Sequence, residues 1–277
     1  MTTEAPTKPT EGTEEKHVSK LAPPRPAIKT GLTDDGVWLF AGLPKSGKTT
    51  LAASIPGAVI LELERGGADR IDGWVQEIPD LPTFREKLFA SIKEPAAKAI
   101  IIDTLDILLD WISDDVAKKF DLENINDRKE GVNGFAVSEE LRKRVINLIE
   151  TLKSCGKIVI ALAHLKEPKL DSDGKLVISH NINARGKLGS YVCGQADVIG
   201  NCFKRPIGQA TQYVVSFQGG GMLGTFGGRI KELEGKSIIL PEKNQWDAIK
   251  AVFDKNAAPP AKTPVTTEKT KNNKGAK

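Results

Sequence analysis

Trp38-Leu39-Phe40-Ala41-Gly42-Leu43-Pro44-Lys45-Ser46-Gly47-Lys48-Thr49-Thr50 decides how the rest of the chain is read. The stretch reads as a buried strand, Val37 to Ala41, then a glycine-rich turn, then a helix. The turn fits Gly-x-x-x-x-Gly-Lys-Thr, the spacing of a phosphate-binding loop. Gly42 and Gly47 admit backbone conformations that a Cβ forbids, so successive N–H groups can face phosphate oxygens. Lys48 would bring a compact positive charge to the β- and γ-phosphates, and Thr49 a hydroxyl for Mg²⁺. The helix adds the positive end of its dipole. Gly42, Leu43, Pro44, Lys45, Ser46, Gly47, Lys48, Thr49 and Thr50 are therefore the expected nucleotide contacts. A chance match is the bland alternative; the strand before and the helix-compatible segment after are the context that counts against it.

Working outward, Ala58 to Leu63 is a second strand of the buried parallel type, apolar with little alternation. It runs into Glu62, Glu64 and a Gly66-Gly67 turn. Carboxylates at the carboxyl end of such a strand sit where ligands bind in open α/β sheets. Two residues apart, Glu62 and Glu64 share a face of a regular strand, but Glu64 lies further out and is the better candidate to activate water. Thr83-Phe84-Arg85-Glu86 reads as a capping box that opens a helix to about Lys93. Lys98 to Asp103 is a third strand. Its aliphatic run ending in Asp103 is a second nucleotide signature, in which the carboxylate holds the Mg²⁺ shell. Thr104 is placed to sense the γ-phosphate, while Asp106 and Asp110 read as helix surface.

Residues 120–137 are polar, with Gly131 and Gly134, and suggest a mobile loop. Ser138 would cap a helix whose Leu141, Val145, Leu148 and Leu152 recur with helical period; Arg142, Lys143 and Arg144 read as a solvated basic face. Lys157 to Ala163 is a fourth buried strand, with His164 at its end. A structural histidine and a phosphate contact are both open there. Residues 165–185 form a long loop or hairpin turning at Asp171 to Gly174. Lys166, Lys169, Lys175, His180, Arg185 and Lys187 make it a candidate for a nucleic-acid backbone, though it lacks stacking aromatics; a merely solvated hairpin is the alternative. Residues 186–196 read as a helix. Asp197 to Phe203 and Gln212 to Phe217 read as a hairpin around Lys204-Arg205-Pro206, and Asn244 to Phe253 as a last helix.

The chain has 277 residues and formal charge +4. Residues 255–277 carry six Lys against Glu268, while residues 1–24 are slightly acidic, so the middle is balanced. Any nucleic-acid affinity must then come from local patches or the basic tail. The expected organisation is a disordered tail at 1–24, one ATPase domain at 25–254 and a disordered basic tail at 255–277. Cys155, Cys193 and Cys202 show no metal spacing and read as buried thiols of a reducing compartment. No apolar run reaches membrane length, and the polar, acidic start is unlike a signal peptide. A cytoplasmic protein without a membrane partner is expected.

By His164 the succession of parts resembles a RecA-like core over roughly residues 35–217: a phosphate loop, Glu64 beyond a strand, an aliphatic strand ending in Asp103, and a strand ending in a polar switch residue. Pro44 to Ala52, Ile102-Asp103-Thr104-Leu105 and Ala163-His164 are similar to the phage-encoded RecA-like ATP-binding proteins of the Sak recombination group. The resemblance implies a RecA-like P-loop NTPase fold, a mostly parallel α/β sheet with helices on both faces and antiparallel edge strands. It also implies ATP and Mg²⁺ as ligands and Lys48, Glu64 and His164 as catalytic groups, with Thr49 and Asp103 at the metal. His164 would couple the γ-phosphate to a DNA-binding loop at about 166–185, and residues 120–137 would be a first such loop. Single-stranded DNA, a homo-oligomer (ring or filament) and a single-strand-binding protein are the implied partners. A neighbour-donated cation would complete the site, with Lys204, Arg205 and Arg229 as candidates. The chain has His where RecA has Gln, and it lacks RecA's large C-terminal domain, so annealing or DNA loading is expected rather than full strand exchange.

Two rivals stand beside that expectation. A small-molecule or nucleotide kinase would need an arginine lid, for which Arg128, Arg142 and Arg144 are present among acidic neighbours. A non-hydrolysing loader would use ATP only as a switch.

Overall fold

The computed structural model describes residues 36–166, 169–170, 173, 176–177, 181–185, 188–208, 210–219, 226–230 and 232–252. Both expected tails, Lys175, His180, Lys187 and most of the Asp171–Gly174 turn lie outside the described residues. Four strands are almost wholly buried: β1 (Gly36–Gly42), β2 (Ala58–Glu62), β4 (Ala99–Asp103) and β5 (Ile158–His164). Burial on both faces is why they read as continuous apolar runs. Added to them are β3 (Trp74–Glu77), β8 (Val198–Ile207), β9 (Ala210–Ser216), β10 (Gly227–Gly228) and β11 (Ser237–Leu240). Among the described residues these nine form one sheet in the order β11-β9-β8-β1-β5-β4-β2-β3, with β10 beside β8. Strands β3, β2, β4, β5, β1 and β8 run parallel, β9 and β10 pair antiparallel with β8, and β11 pairs antiparallel with β9. The expected fold class holds.

Alternation along the strands divides the core into two layers. Val37, Leu39 and Ala41 face a cluster with α2 (Leu81–Lys93), α3 (Leu105–Lys119), α4 (Gly134–Lys153) and α5 (Leu188–Gln195). Trp38 and Phe40 face the opposite cluster with α1 (Lys48–Ala53) and α6 (Gln245–Lys250). A separate pair, β6 (Lys169–Leu170) and β7 (Leu176–Val177), makes the expected hairpin within 165–185. No helix among the described residues is long and apolar enough to cross a membrane.

Several expectations are corrected. Helix α2 starts at Leu81, because the Asp80 carboxylate accepts the Thr83 N–H at 2.8 Å and Pro82 sits in the first turn, where no N–H is needed. Thr83 is inside the helix. Helix α4 starts at Gly134 rather than after Ser138, capped by Asn133 Oδ1 from the Phe135 N–H at 2.9 Å. Residues 134–137 are thus helical. Lys204, Arg205 and Pro206 belong to β8, and the turn falls at Gly208, with φ 57°. Strands β3 and β11 were not anticipated, being edge strands of only four residues each.

Helix α6 closes one core layer: Trp246 and Trp38 meet edge to face with ring centroids 5.0 Å apart. The Trp246 N–H also donates to Ser54 Oγ at 2.8 Å. Trp246→Ala is expected to cost about 3–5 kcal/mol in denaturant unfolding of the whole chain. An unchanged unfolding midpoint would remove α6 from the folded domain.

Candidate functional site

Gly42 is fixed by packing, and Gly47 by packing and by backbone angle. A Cβ on Gly42 would lie 2.3 Å from the Cys202 carbonyl oxygen of β8 and 2.5 Å from Ser46 Oγ. A Cβ on Gly47 would lie 2.6 Å from the Tyr213 ring of β9, and Gly47 has φ 92°. The hairpin of β8 and β9 therefore presses on the loop, and only glycine fits at either position. Lys48 opens α1 with its side chain buried. Its Nζ donates to the Gly42 and Leu43 carbonyls at 3.0 and 3.1 Å. Burial lowers the Lys48 pKa below the ordinary lysine value, partly opposed by Asp103, Asp106 and Glu64.

Thr49 Oγ1 donates to Asp103 Oδ2 at 2.8 Å, joining α1 to the end of β4. Asp103 is buried; burial pushes its carboxyl up, against the Thr49 hydrogen bond. Register aligns Asp103 with Glu62 and Leu162, and Gly42 with His164. The parallel sheet thus gathers these residues at one carboxyl edge. The two glutamates separate there. Glu62 ends β2, is buried, and accepts the Ala68 N–H at 2.6 Å, so it holds the following turn. Beyond it, both Leu63 and Glu64 N–H groups bond the Asp103 carbonyl, at 2.6 and 3.2 Å. Glu64 is exposed, with Oε2 3.8 Å from His164 Nε2.

His164 Nδ1 faces Asp106 Oδ2 at 3.0 Å, and the His164 N–H donates to Asp106 Oδ1 at 3.2 Å. Asp106 is buried on α3, which corrects its expected place on a helix surface. The Asp106 hydrogen bond raises the His164 pKa, against burial and Lys48. Burial alone would raise the Asp106 carboxyl, but the His164 ring and N–H hold it below the usual carboxylate value.

The remaining candidates are scattered. Lys166 lies two residues past His164, its N–H donating to the Asn181 carbonyl at 3.0 Å, and Lys169 is in β6. Arg185 is engaged with acids on α3, its Nε 2.9 Å from Asp110 and its Nη1 3.4 Å from Asp114. Lys204 and Arg205 lie past the end of β1, since Ala41 pairs with Asn201; both are exposed, and Lys204 Nζ sits 5.3 Å from the Tyr213 ring centroid. Arg229 is at the other edge, 3.5 Å from Asp197, whose Oδ2 accepts the Val37 N–H. Sequence reasoning missed Asp106 and Tyr213: both act through contacts distant in the chain, and neither stands in a motif.

A triphosphate with Mg²⁺ fits these residues. The loop is a cradle that a Cβ would fill. Among the described residues, the buried Ser46 Oγ and Thr104 Oγ1 have no hydrogen-bond partner. Thr49 and Asp103 supply the oxygen donors that Mg²⁺ prefers. Gly47→Ala is expected to weaken triphosphate binding at least about tenfold, since it adds left-handed strain of about 1–2 kcal/mol to the ring clash. Adding Tyr213→Ala should recover part of the loss in calorimetry. Wild-type affinity in Gly47→Ala would show that the loop does not bind phosphate.

Residues 37–223 match the AAA domain family. No curated protein matches the chain. Among solved structures it is similar to a KaiC-like protein of the archaeon Pyrococcus horikoshii OT3, at 14% identity and TM-score 0.44, covering 76% of this chain and 87% of that one. It is also similar to the flagellar accessory protein FlaH of Methanocaldococcus jannaschii, at 14% identity and TM-score 0.34 over the same shares. With its phosphate loop, its carboxylate strand and two thirds of its length inside the match, the chain belongs to the AAA domain family.

Proposed function

We propose that the chain binds ATP with Mg²⁺ at the carboxyl edge of the sheet, hydrolyses it slowly, and couples that cycle to single-stranded DNA. One observation carries the ATPase reading. Lys48 and Thr49 of α1, Asp103 of β4, His164 of β5 and Glu64 beyond β2 are held at one edge by strand register and by the Thr49–Asp103 and His164–Asp106 bonds. Lys48 would neutralise phosphate charge, and Thr49 with Asp103 would hold Mg²⁺. The metal, when bound, supplies further charge neutralisation on the transferring phosphoryl group. Glu64, exposed and beyond the strand, would orient the attacking water and take its proton. Catalysis of this kind is mainly positioning and charge stabilisation.

The DNA half of the proposal draws on the resemblance to Sak-type phage proteins and on one connection. Leu165, directly after His164, donates its N–H to the Gly42 carbonyl at 3.3 Å, the same carbonyl that receives Lys48. The segment bearing Lys166 and Lys169 is therefore bonded to the phosphate loop at its root. In a ring or filament of copies, Lys204 and Arg205 on the projecting end of β8 are the candidates to reach a neighbour's site. A kinase is less well supported, because Arg144 is tied to Asp115 and Glu140 and is not free to serve as a lid cation.

Lys48→Ala is expected to lower ATP turnover by about a hundredfold or more, with and without single-stranded DNA. Unchanged turnover would end the ATPase reading, whereas ATP-dependent DNA binding without any turnover in the wild type would favour the loader. DNA affinity should fall with salt, with a logarithmic slope of about −0.7 for each phosphate contact. A flat response would remove both the loop and the basic tail as DNA contacts.

A further inference from the structure

Both nitrogens of the His164 ring face carboxylates. Nδ1 lies 3.0 Å from Asp106 Oδ2, and Nε2 lies 3.8 Å from Glu64 Oε2. A neutral imidazole has one N–H and one lone pair, so one of these approaches would set a lone pair against an anion. Only the imidazolium carries an N–H toward each, hydrogen-bonded to Asp106 and at ion-pair distance, beyond hydrogen-bond reach, from Glu64. The Asp106 contact is rigid: its other oxygen takes the His164 main-chain N–H, and the residue is buried in α3. Glu64 is exposed and free to turn toward water.

Helix α3 repeats the device along one face. Asp106, Asp110 and Asp114 are four residues apart and so lie in one row. Asp106 holds His164 at the start of the segment 165–184, and Asp110 and Asp114 hold Arg185 at its end. Thr104 stands at the N-cap position of this helix, without a side-chain cap bond, directly after Asp103. The carboxylate expected at the metal and the anchors of the segment thus belong to one continuous stretch.

We propose that Asp106 is a positioning residue of the hydrolytic site: it fixes the His164 ring as an imidazolium whose Nε2–H is presented beside Glu64. The inference rests on the ATPase reading for its kinetic consequence but not for its structural one. His164 then supplies a cation from within the same chain, at the position where the resemblance implies a neutral switch residue. The charged groups facing the ring are Asp106 from α3, Glu64 from the turn after β2, Lys48 from α1 and, at longer range, Asp103 from β4. Asp106 and Glu64 favour the imidazolium, and Lys48 opposes it.

Two measurements on the 277-residue chain test this. The first follows the His164 ring by NMR through a pH titration without nucleotide, in the wild type and in Asp106→Asn. Asp106→Asn should titrate at lower pH, because the retained amide can still bond the ring but carries no charge. An unmoved midpoint in a folded variant overturns the proposal, whatever the ATPase activity. The second is a kinetic cycle. Asp106→Asn should lower kcat at least tenfold with little change in KM, and the alkaline limb of its pH profile should move to lower pH. In a His164→Gln background the same change should alter kcat less than twofold. Equal losses in both backgrounds would make Asp106 merely structural and overturn the proposal. A wild type without turnover would sink the ATPase reading and leave the titration to decide on Asp106.

Discussion

A buried ammonium without a carboxylate partner governs this site. Among the described residues no acid lies within ion-pair distance of Lys48, whose Nζ is held by two backbone carbonyls. Removing a cation from water is costly unless opposite charge or strong acceptors replace the solvent. Carbonyls do so only in part, and burial holds the Lys48 pKa below the ordinary lysine value. An anion brought to the loop would offset that cost, and phosphate is the anion that a glycine-rich loop at a helix N-terminus suits. The glycines follow from the same crowding: the Cys202 carbonyl and the Tyr213 ring occupy the space in which side chains would stand.

The sheet turns this local constraint into an active edge. In a parallel sheet every strand ends at the same side, so register decides which chemistry meets there. Gly42 beside His164, and Asp103 beside Glu62, place the phosphate-loop motif, the carboxylate proposed for the metal and the histidine proposed as a switch within one row. Helix α3 then leads away from Asp103 and returns the acids Asp106, Asp110 and Asp114 to the segment that begins at His164.

The sequence made some of this plain. The phosphate loop and Asp103 were legible because their chemistry lies in contiguous residues with fixed spacing, and β1, β2, β4 and β5 because burial on both faces leaves unbroken apolar runs. Facing did not separate Glu62 from Glu64, since a regular strand presents both on one face, but position along the strand favoured Glu64; the Glu62–Ala68 bond and the bonding of Leu63 and Glu64 to the Asp103 carbonyl set the two apart. Asp106 was misread because acids at helical spacing look like a solvated face; its partner stands 58 residues away. Asn133 as a cap was hidden by Gly131 and Gly134, which look like loop, and β3 and β11 by their brevity.

Calorimetric titration of ATP into the chain, with and without Mg²⁺, bears most directly on the claim that the fold is organised around a triphosphate. Saturable binding near the micromolar range, about −8 kcal/mol, is expected with the metal, and weaker binding without it. Absence of saturable binding by the folded protein at millimolar ATP and Mg²⁺ would contradict it.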